Sequence, residues 1–343
     1  MKMVMMNTKN NNMPKVSVII PIYGVEKYIE RCARSLFEQT LDDIEFIFVD
    51  DCTPDRSIDI LKSVIEKFRL RFAEKKYDVR IVRMPTNSGQ AAVRRHGIQL
   101  ATGDYIIHCD SDDWVDVTMY EKMYNKAIEE DADIVVCDYY LSDGEYNKEQ
   151  KYLEHPIYSN KKVYWSKFLR GEASTSLWSK LVRRSLYINN EIIYPTCNMW
   201  EDFVITCQLI SHSNTIGYVD ECLYFYYNNP QSICNSNIDR NQKQIMENAN
   251  IMLFFLQSPN NKQSYTKEDI VCFKYYSRYE LSKNVQQFKY WKLWHKTFPE
   301  IKLNYLFIKD VKCRERLRFL SIYVGLYPQI LKILSFLRNF MFL

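Results

Sequence analysis

The chain has 343 residues, of which 47% are hydrophobic and 26% charged, with 26 Tyr and 18 Phe against only 8 Gly. That is enough apolar material for two domains, or for one domain with a large extension. A net charge of +4 is too mild to argue for nucleic acid as a partner, and the ten cysteines include no C-x-x-C pair, which points to reduced thiols in a cytoplasmic protein and away from a disulfide framework or a zinc site.

Residues 1–14 read as a disordered leader, because they lack the apolar core of a signal peptide. Val16 to Ile20 is a buried strand stopped by Pro21. Ile29, Cys32, Ala33, Leu36 and Phe37 then repeat with helical spacing and predict a helix with one apolar stripe. Ile44 to Val49 is a second strand ending in Asp50-Asp51, and Thr53-Pro54-Asp55 is turn chemistry before a helix from Ser57 to about Phe72. Val79 to Val82 is a short third strand. Asn87-Ser88-Gly89 is a turn, followed by a helix from Gln90 to Leu100. Tyr105 to Cys109 is an apolar fourth strand that ends abruptly in Asp110, Asp112 and Asp113. A helix from about Val117 to Glu130 and a fifth strand, Ile134 to Cys137, complete the regular half. Strands alternating with helices at this spacing mean βαβ units and a mostly parallel sheet. Right-handed crossovers place the ends of strands one, two and four on one edge.

Those three ends carry Pro21-x-Tyr23, Asp50-Asp51 and Asp110-x-Asp112. Ligands of open α/β sheets bind outside the carboxyl ends of the strands. Two carboxylates two residues apart on a turning chain can present oxygens to one hard cation, Mg²⁺ or Mn²⁺, which commonly shares its shell with substrate phosphates. Asp110 and Asp112 therefore read as a metal–diphosphate site, against the plainer reading of Asp-rich turns as caps for the next helix. No G-x-G-x-x-G or Walker A loop occurs, which argues against the usual dinucleotide and P-loop sites.

Beyond residue 140 the pattern becomes irregular. Residues 142–160 read as a polar loop, Trp165 to Leu169 and Leu177 to Leu186 as helices, and Phe203 to Ile210 as a helix headed by Trp200-Glu201-Asp202. Val219 to Tyr227 is strand-like, and residues 237–305 read as helices with polar faces. In the last stretch, Lys309, Lys312, Arg314, Arg316 and Arg318 lead into an apolar tail interrupted by Pro328. Its uncharged run is short of the ~20 residues that span a bilayer. From Pro328 onward Lys332, Ser335, Arg338 and Asn339 share one arc of a helix. Residues 309–343 thus read either as a basic amphipathic helix on an anionic membrane face or as a terminal helix packed on the core or on a dimer partner.

The motifs Val18-Ile-Ile-Pro-Ile-Tyr23, Phe48-Val-Asp-Asp-Cys-Thr-Pro-Asp55, Asn87-Ser-Gly89, Arg94 and Cys109-Asp-Ser-Asp-Asp113 resemble, in order, the signatures of bacterial-type family 2 glycosyltransferases of the GT-A fold. The resemblance continues more weakly through Trp178-Ser-Lys180, Trp200-Glu-Asp202, Leu223 to Tyr227 and Ser232-Ile233, and stops near residue 240. It implies an α/β GT-A nucleotide-sugar-binding fold over residues 15–235, with 15–140 the nucleotide-binding half and 141–235 the acceptor half. A helical C-terminal extension, 236–343, would follow. It further implies a nucleotide-sugar donor with UDP as the default, a divalent cation, and an inverting single displacement onto a glycan or lipid-linked acceptor. Cell-surface polysaccharide assembly at the inner face of the cell membrane would be the setting.

Carried over by position, Pro21 and Tyr23 border the nucleobase, and Asp50 and Asp51 hold the base or ribose. Arg94 lies near the nucleotide, Asp110 supports ribose and metal, and Asp112 is the main metal ligand. Asp202 is the general base, Glu201 orients the acceptor or Asp202, and Trp178 and Lys180 line the acceptor side. The plainer alternatives are strand-end packing for Tyr23, a surface charge for Arg94, core and rim for Trp178 and Lys180, and helix-dipole acids for Glu201-Asp202. Four positions depart from the common pattern: Gly24 where Asn is usual, Cys52-Thr53 where Gly and Ser are usual, and Arg95 in place of Asn. Two other functions compete. A sugar nucleotidyltransferase would need a Gly-rich basic loop where Tyr23-Gly24-Val25-Glu26 stands, and a non-catalytic nucleotide-sugar-binding protein would have lost acids that are all present.

Overall fold

The computed structural model describes residues 13–150, 160–229, 237–258, 265–309 and 311–330. Strands β1 (Val16–Ile22), β2 (Ile44–Asp50), β3 (Asp78–Arg83) and β4 (Tyr105–His108) pair in parallel in the order β3-β2-β1-β4. Helices α1 (Ile29–Phe37), α2 (Ser57–Lys75) and α3 (Gln90–Leu100) make the crossovers. The strands are apolar on both faces because both faces are covered. Val18, Ile20, Phe46 and Phe48 pack with α1, while Ile19, Ile47 and Val49 pack with Val93 and Ile98 of α3.

The sheet continues through an antiparallel insertion. After β5 (Trp114–Val115) and α4 (Met119–Glu129), β6 (Ile134–Ser142) lies two strands away from β4. The gap is filled by β8 (Lys180–Arg183), antiparallel to both neighbours. Residues 177–186 are therefore not a helix as expected from the sequence; only Arg184–Ile188 (α6) is helical there. Leu181 and Val182 are buried on opposite faces of the sheet, so the segment alternates as a strand does. A short apolar run of this kind does not reveal its type by periodicity. The expected loop at 142–160 is likewise corrected in part: β7 (Asn147–Gln150) forms a hairpin with β6. Residues 151–159 lie outside those described.

Helix α5 (Lys161–Leu169) precedes β8, and α7 (Glu201–His212) follows it. The last strand, β9 (Ile216–Tyr227), runs parallel to β6 and then pairs antiparallel with β5, with a register shift near Cys137–Tyr139. The nine strands form one mostly parallel sheet. The C-terminal helices are α8 (Ile238–Gln257), α9 (Lys267–Tyr276), α10 (Tyr279–Ser282), α11 (Phe288–Lys296) and α12 (Cys313–Tyr323), with a 3₁₀ turn at Leu303–Phe307. Met252, Leu256 and Phe273 join the core on the α3 face of the sheet, whereas Leu281, Trp294, Tyr305 and Phe319 form a separate cluster.

Arg316 and Arg318 are held locally, by the Ile308 and Val311 carbonyls and by Glu315 respectively. The polar arc read at 332–339 and the leader at 1–12 lie outside the described residues. No helix among the described residues is long and apolar enough to cross a membrane.

Candidate active site

The acids named from the sequence converge at the carboxyl edge of the sheet, but their surroundings divide them. At the end of β2 both carboxylates shape loops. Asp50 accepts from the Thr53 amide at 2.8 Å and pairs with Arg83 at 3.2 Å. Asp51 accepts from the Ser88 and Gly89 amides at 2.7 and 2.9 Å, so it fixes the Asn87-Ser88-Gly89 turn. Gly89 has φ +82, and a Cβ there would lie 2.7 Å from Asn198 Oδ1. The turn therefore presses directly against the loop that leads into α7. Cys52, in the place of the usual Gly, adopts φ 58 and donates its thiol to the Met84 carbonyl. Pro21 is half-buried, and Tyr23 stands 52% exposed at the same edge, free to meet a planar ligand.

At the end of β4 the three acids have three environments. Asp113 is buried and accepts from Tyr224 Oη at 2.6 Å and from the Tyr227 amide at 2.7 Å. Burial, with the charges of Asp112 and Asp110, pushes its carboxyl well above the ordinary range. Asp112 accepts from Asn229 Nδ2 at 3.0 Å, and burial followed by Asp110's charge raises it as well. Asp110 meets Arg94 Nη2 at 2.6 Å and Gln90 Nε2 at 3.3 Å, while its amide donates to Tyr224 Oη at 3.1 Å. Arg31 braces the turn from outside. Its guanidinium lies 3.6 Å from the Trp114 ring centre and donates to the Asp112 carbonyl.

Arg94, 3% exposed, is not a surface charge. One arm binds Asp110, and the other makes a close ion pair with Glu201 at the start of α7. This bridge joins the β4 acids to the Glu201-Asp202 pair. Glu201 is buried, and its second oxygen, Oε2, has no hydrogen-bond partner. Asp202, half-buried, accepts from the Phe203 amide at 2.8 Å, and burial raises its carboxyl while Arg94 opposes the shift. Trp200, just before them, holds a left-handed φ of 66. Behind Arg94 sits His108, fully buried with neither ring nitrogen bonded; burial and then Arg94 depress its basicity, so it is neutral.

Trp178 is a core residue stacked on Tyr224 at 4.3 Å, and buried Lys180 donates to the Ser176 carbonyl at 2.8 Å. Trp178 therefore reaches the site through the tyrosine that organises Asp110 and Asp113, while the Lys180 charge acts on Asp202. The sequence reading missed Arg31, Gln90, His108, Asn198, Tyr224 and Asn229. Of these, His108 stands in the fourth strand, Gln90 at the start of the helix that precedes it and Tyr224 in the Leu223–Tyr227 motif.

Among the described residues no three His, Cys, Asp or Glu side chains converge as a metal cage. Asp110 and Asp112 nonetheless suit a cation that takes one or two protein carboxylates and completes its shell with phosphates. Burial and then the charge of Asp110 raise Asp112, and a cation there would favour its ionised form.

The fold is that of the GT-A class. The chain belongs to glycosyl transferase family 2, whose model matches residues 17–204. The uncharacterized glycosyltransferase EpsJ of Bacillus subtilis is 31% identical over 228 residues, which is 64% of this chain and 63% of that protein, somewhat under two thirds of its length. Among solved structures, S. aureus TarS 1–349 in complex with UDP-GlcNAc superposes with a TM-score of 0.58 at 19% identity, covering 90% of this chain and 79% of that one. The mannosyltransferase PcManGT from Pyrobaculum calidifontis, in complex with GDP-Man and Mn²⁺, gives 0.54 at 14% identity, covering 94% and 88%.

Proposed function

We propose that this glycosyltransferase moves a sugar from a nucleotide-diphosphate donor, UDP-linked by default, to a hydroxyl of a glycan or lipid-linked acceptor, with inversion. The observation that supports this best is the Arg94 bridge, which holds the β4 acids and the Glu201-Asp202 pair in one cleft. Tyr23 and Pro21 border the nucleobase, and Asp50 and Asp51 support the nucleoside, Asp51 through the turn it fixes. Asp112 and Asp110 would hold Mg²⁺ or Mn²⁺, which when bound stabilises the diphosphate leaving group as a Lewis acid.

Asp202 accepts the proton of the acceptor hydroxyl as its oxygen bonds to the sugar's anomeric carbon and the bond to the diphosphate breaks. No covalent enzyme intermediate is needed. Its raised basicity suits a base that must take a proton near neutral pH. Glu201 is the positioning residue, clamped on Arg94 so that Asp202 faces the cleft. Lys180 and Trp178 border the acceptor side.

The test is donor binding and hydrolysis across a panel of nucleotide sugars, with Mn²⁺, Mg²⁺ or EDTA. Wild type is compared with Asp112→Ala and Asp202→Asn. Asp202→Asn should keep metal-dependent donor binding and lose transfer by about 10²–10⁴-fold. Absence of binding to every nucleotide sugar with either metal would overturn the proposal.

A further inference from the structure

A cavity of about 380 Å³ lies at the seam between the catalytic domain and the C-terminal helices, away from the acids described above. Its volume is in the range that takes a small ligand. The end of α5, helix α9, the 3₁₀ turn and the start of α12 contribute its walls. Tyr275 and Tyr305 are only 7% and 3% exposed, and neither hydroxyl has a hydrogen-bond partner among the described residues. A buried tyrosine normally finds a partner for its O–H. Both tyrosines line the cavity, where a bound molecule can supply the acceptor.

The charges around them are unbalanced. Glu172 is paired with Lys167, Glu315 with Arg318 at 3.1 Å, and Asp269 with Arg170 at 3.0 Å. Lys312 and Arg314, exposed at the rim, pair with no carboxylate among the described residues. They flank the start of α12, where backbone N–H groups also favour an anion. The site thus offers cations at its mouth and hydroxyl donors in its depth. Its far wall is rigid. Gly171, at φ +69, leaves no room for a Cβ beside Tyr276, whose ring stacks on Trp200 at 5.2 Å. Trp200 immediately precedes Glu201-Asp202.

We propose that this cavity is a second ligand site, for a phosphate-bearing sugar: the phosphate sits at Lys312 and Arg314, and the sugar hydroxyls meet the O–H groups of Tyr275 and Tyr305. Neutral sugars lack the group that the rim selects, and a bare anion leaves the two tyrosine hydroxyls unpartnered.

The experiment is calorimetric titration of the full chain with glucose 6-phosphate, inorganic phosphate and glucose. The variants are Lys312→Ala/Arg314→Ala, Tyr305→Phe and Asp112→Ala. Glucose 6-phosphate should bind at least about tenfold more tightly than either phosphate or glucose. The double variant should weaken it about tenfold or more and Tyr305→Phe several-fold, both at an unchanged melting temperature. Asp112→Ala should leave it unaltered, and donor hydrolysis in the double variant should match wild type, which separates this site from the donor site. No heat at about 10 mM ligand would overturn the proposal. So would equal affinity for inorganic phosphate, affinity unchanged in both cavity variants, or loss of binding in Asp112→Ala.

Discussion

The ends of β2 and β4 look alike in sequence, each an apolar strand running into clustered aspartates, yet the two turns have different duties. After β2 the carboxylates accept backbone amides and a strand-end arginine, and the result is a fixed loop. After β4 only Asp113 is tied down in that way. Asp110 and Asp112 are only half-buried and are held by side chains that arrive from α3 and from just beyond β9. What separates a structural acid from a ligand-ready one is the number of donors already aimed at it, and that number is set by distant parts of the chain.

The strongest way to break this division is at Arg94. Arg94→Ala leaves the Asp110 and Glu201 carboxylates facing each other across a buried gap, and removing one partner of a buried pair costs about 3–5 kcal/mol. Urea denaturation should show that loss; a change under about 1 kcal/mol would mean that the bridge behaves as a surface contact. The β4 acids can then be set against each other. Asp113→Asn weakens two buried hydrogen bonds, so stability should fall by about 1–3 kcal/mol. Asp112→Asn should leave the melting temperature nearly unchanged while transfer falls on the order of a hundredfold. If both variants lose stability equally, the division within the β4 turn fails.

At β2, Asp51→Ala orphans the Ser88 and Gly89 amides and should cost about 1–2 kcal/mol, with a raised KM for donor and a smaller change in kcat. The smallest effect is on pH dependence. Burial raises the Asp202 carboxyl, and only its deprotonated form can accept a proton. Turnover should therefore fall, as pH drops, at a value above the ordinary aspartate range near ~3.9. An acid limb at or below that value, in the pH profile of kcat at saturating donor, would remove Asp202 from the role of base.

The first half of the fold was legible because its elements repeat at the periods of strand and helix. α3 runs over Gln90–Leu100 as the spacing predicts, and α2 extends only three residues past its expected end, to Lys75. The acids themselves could be named because strand ends in such sheets have a defined side. β8 was not legible, since the four residues Lys180–Arg183 become a strand only by fitting between β4 and β6. Nor was Arg94's second partner, which lies 107 residues away in sequence. Asn198 and Asn229 carry no local pattern, and their roles exist only once loops from separate elements meet.

The placement of β9 has a consequence for synthesis on the ribosome. Asn229, which partners Asp112, is made 117 residues after it. At ~5–20 residues per second the aspartate turn waits roughly 6–23 s for its last partners. During that interval three clustered carboxylates lack the tyrosine and asparagine that later separate their tasks. A nascent chain stopped before residue 216 would carry every acid of the site and still have no strand to organise the turn. Such a truncated product should be inert toward donor.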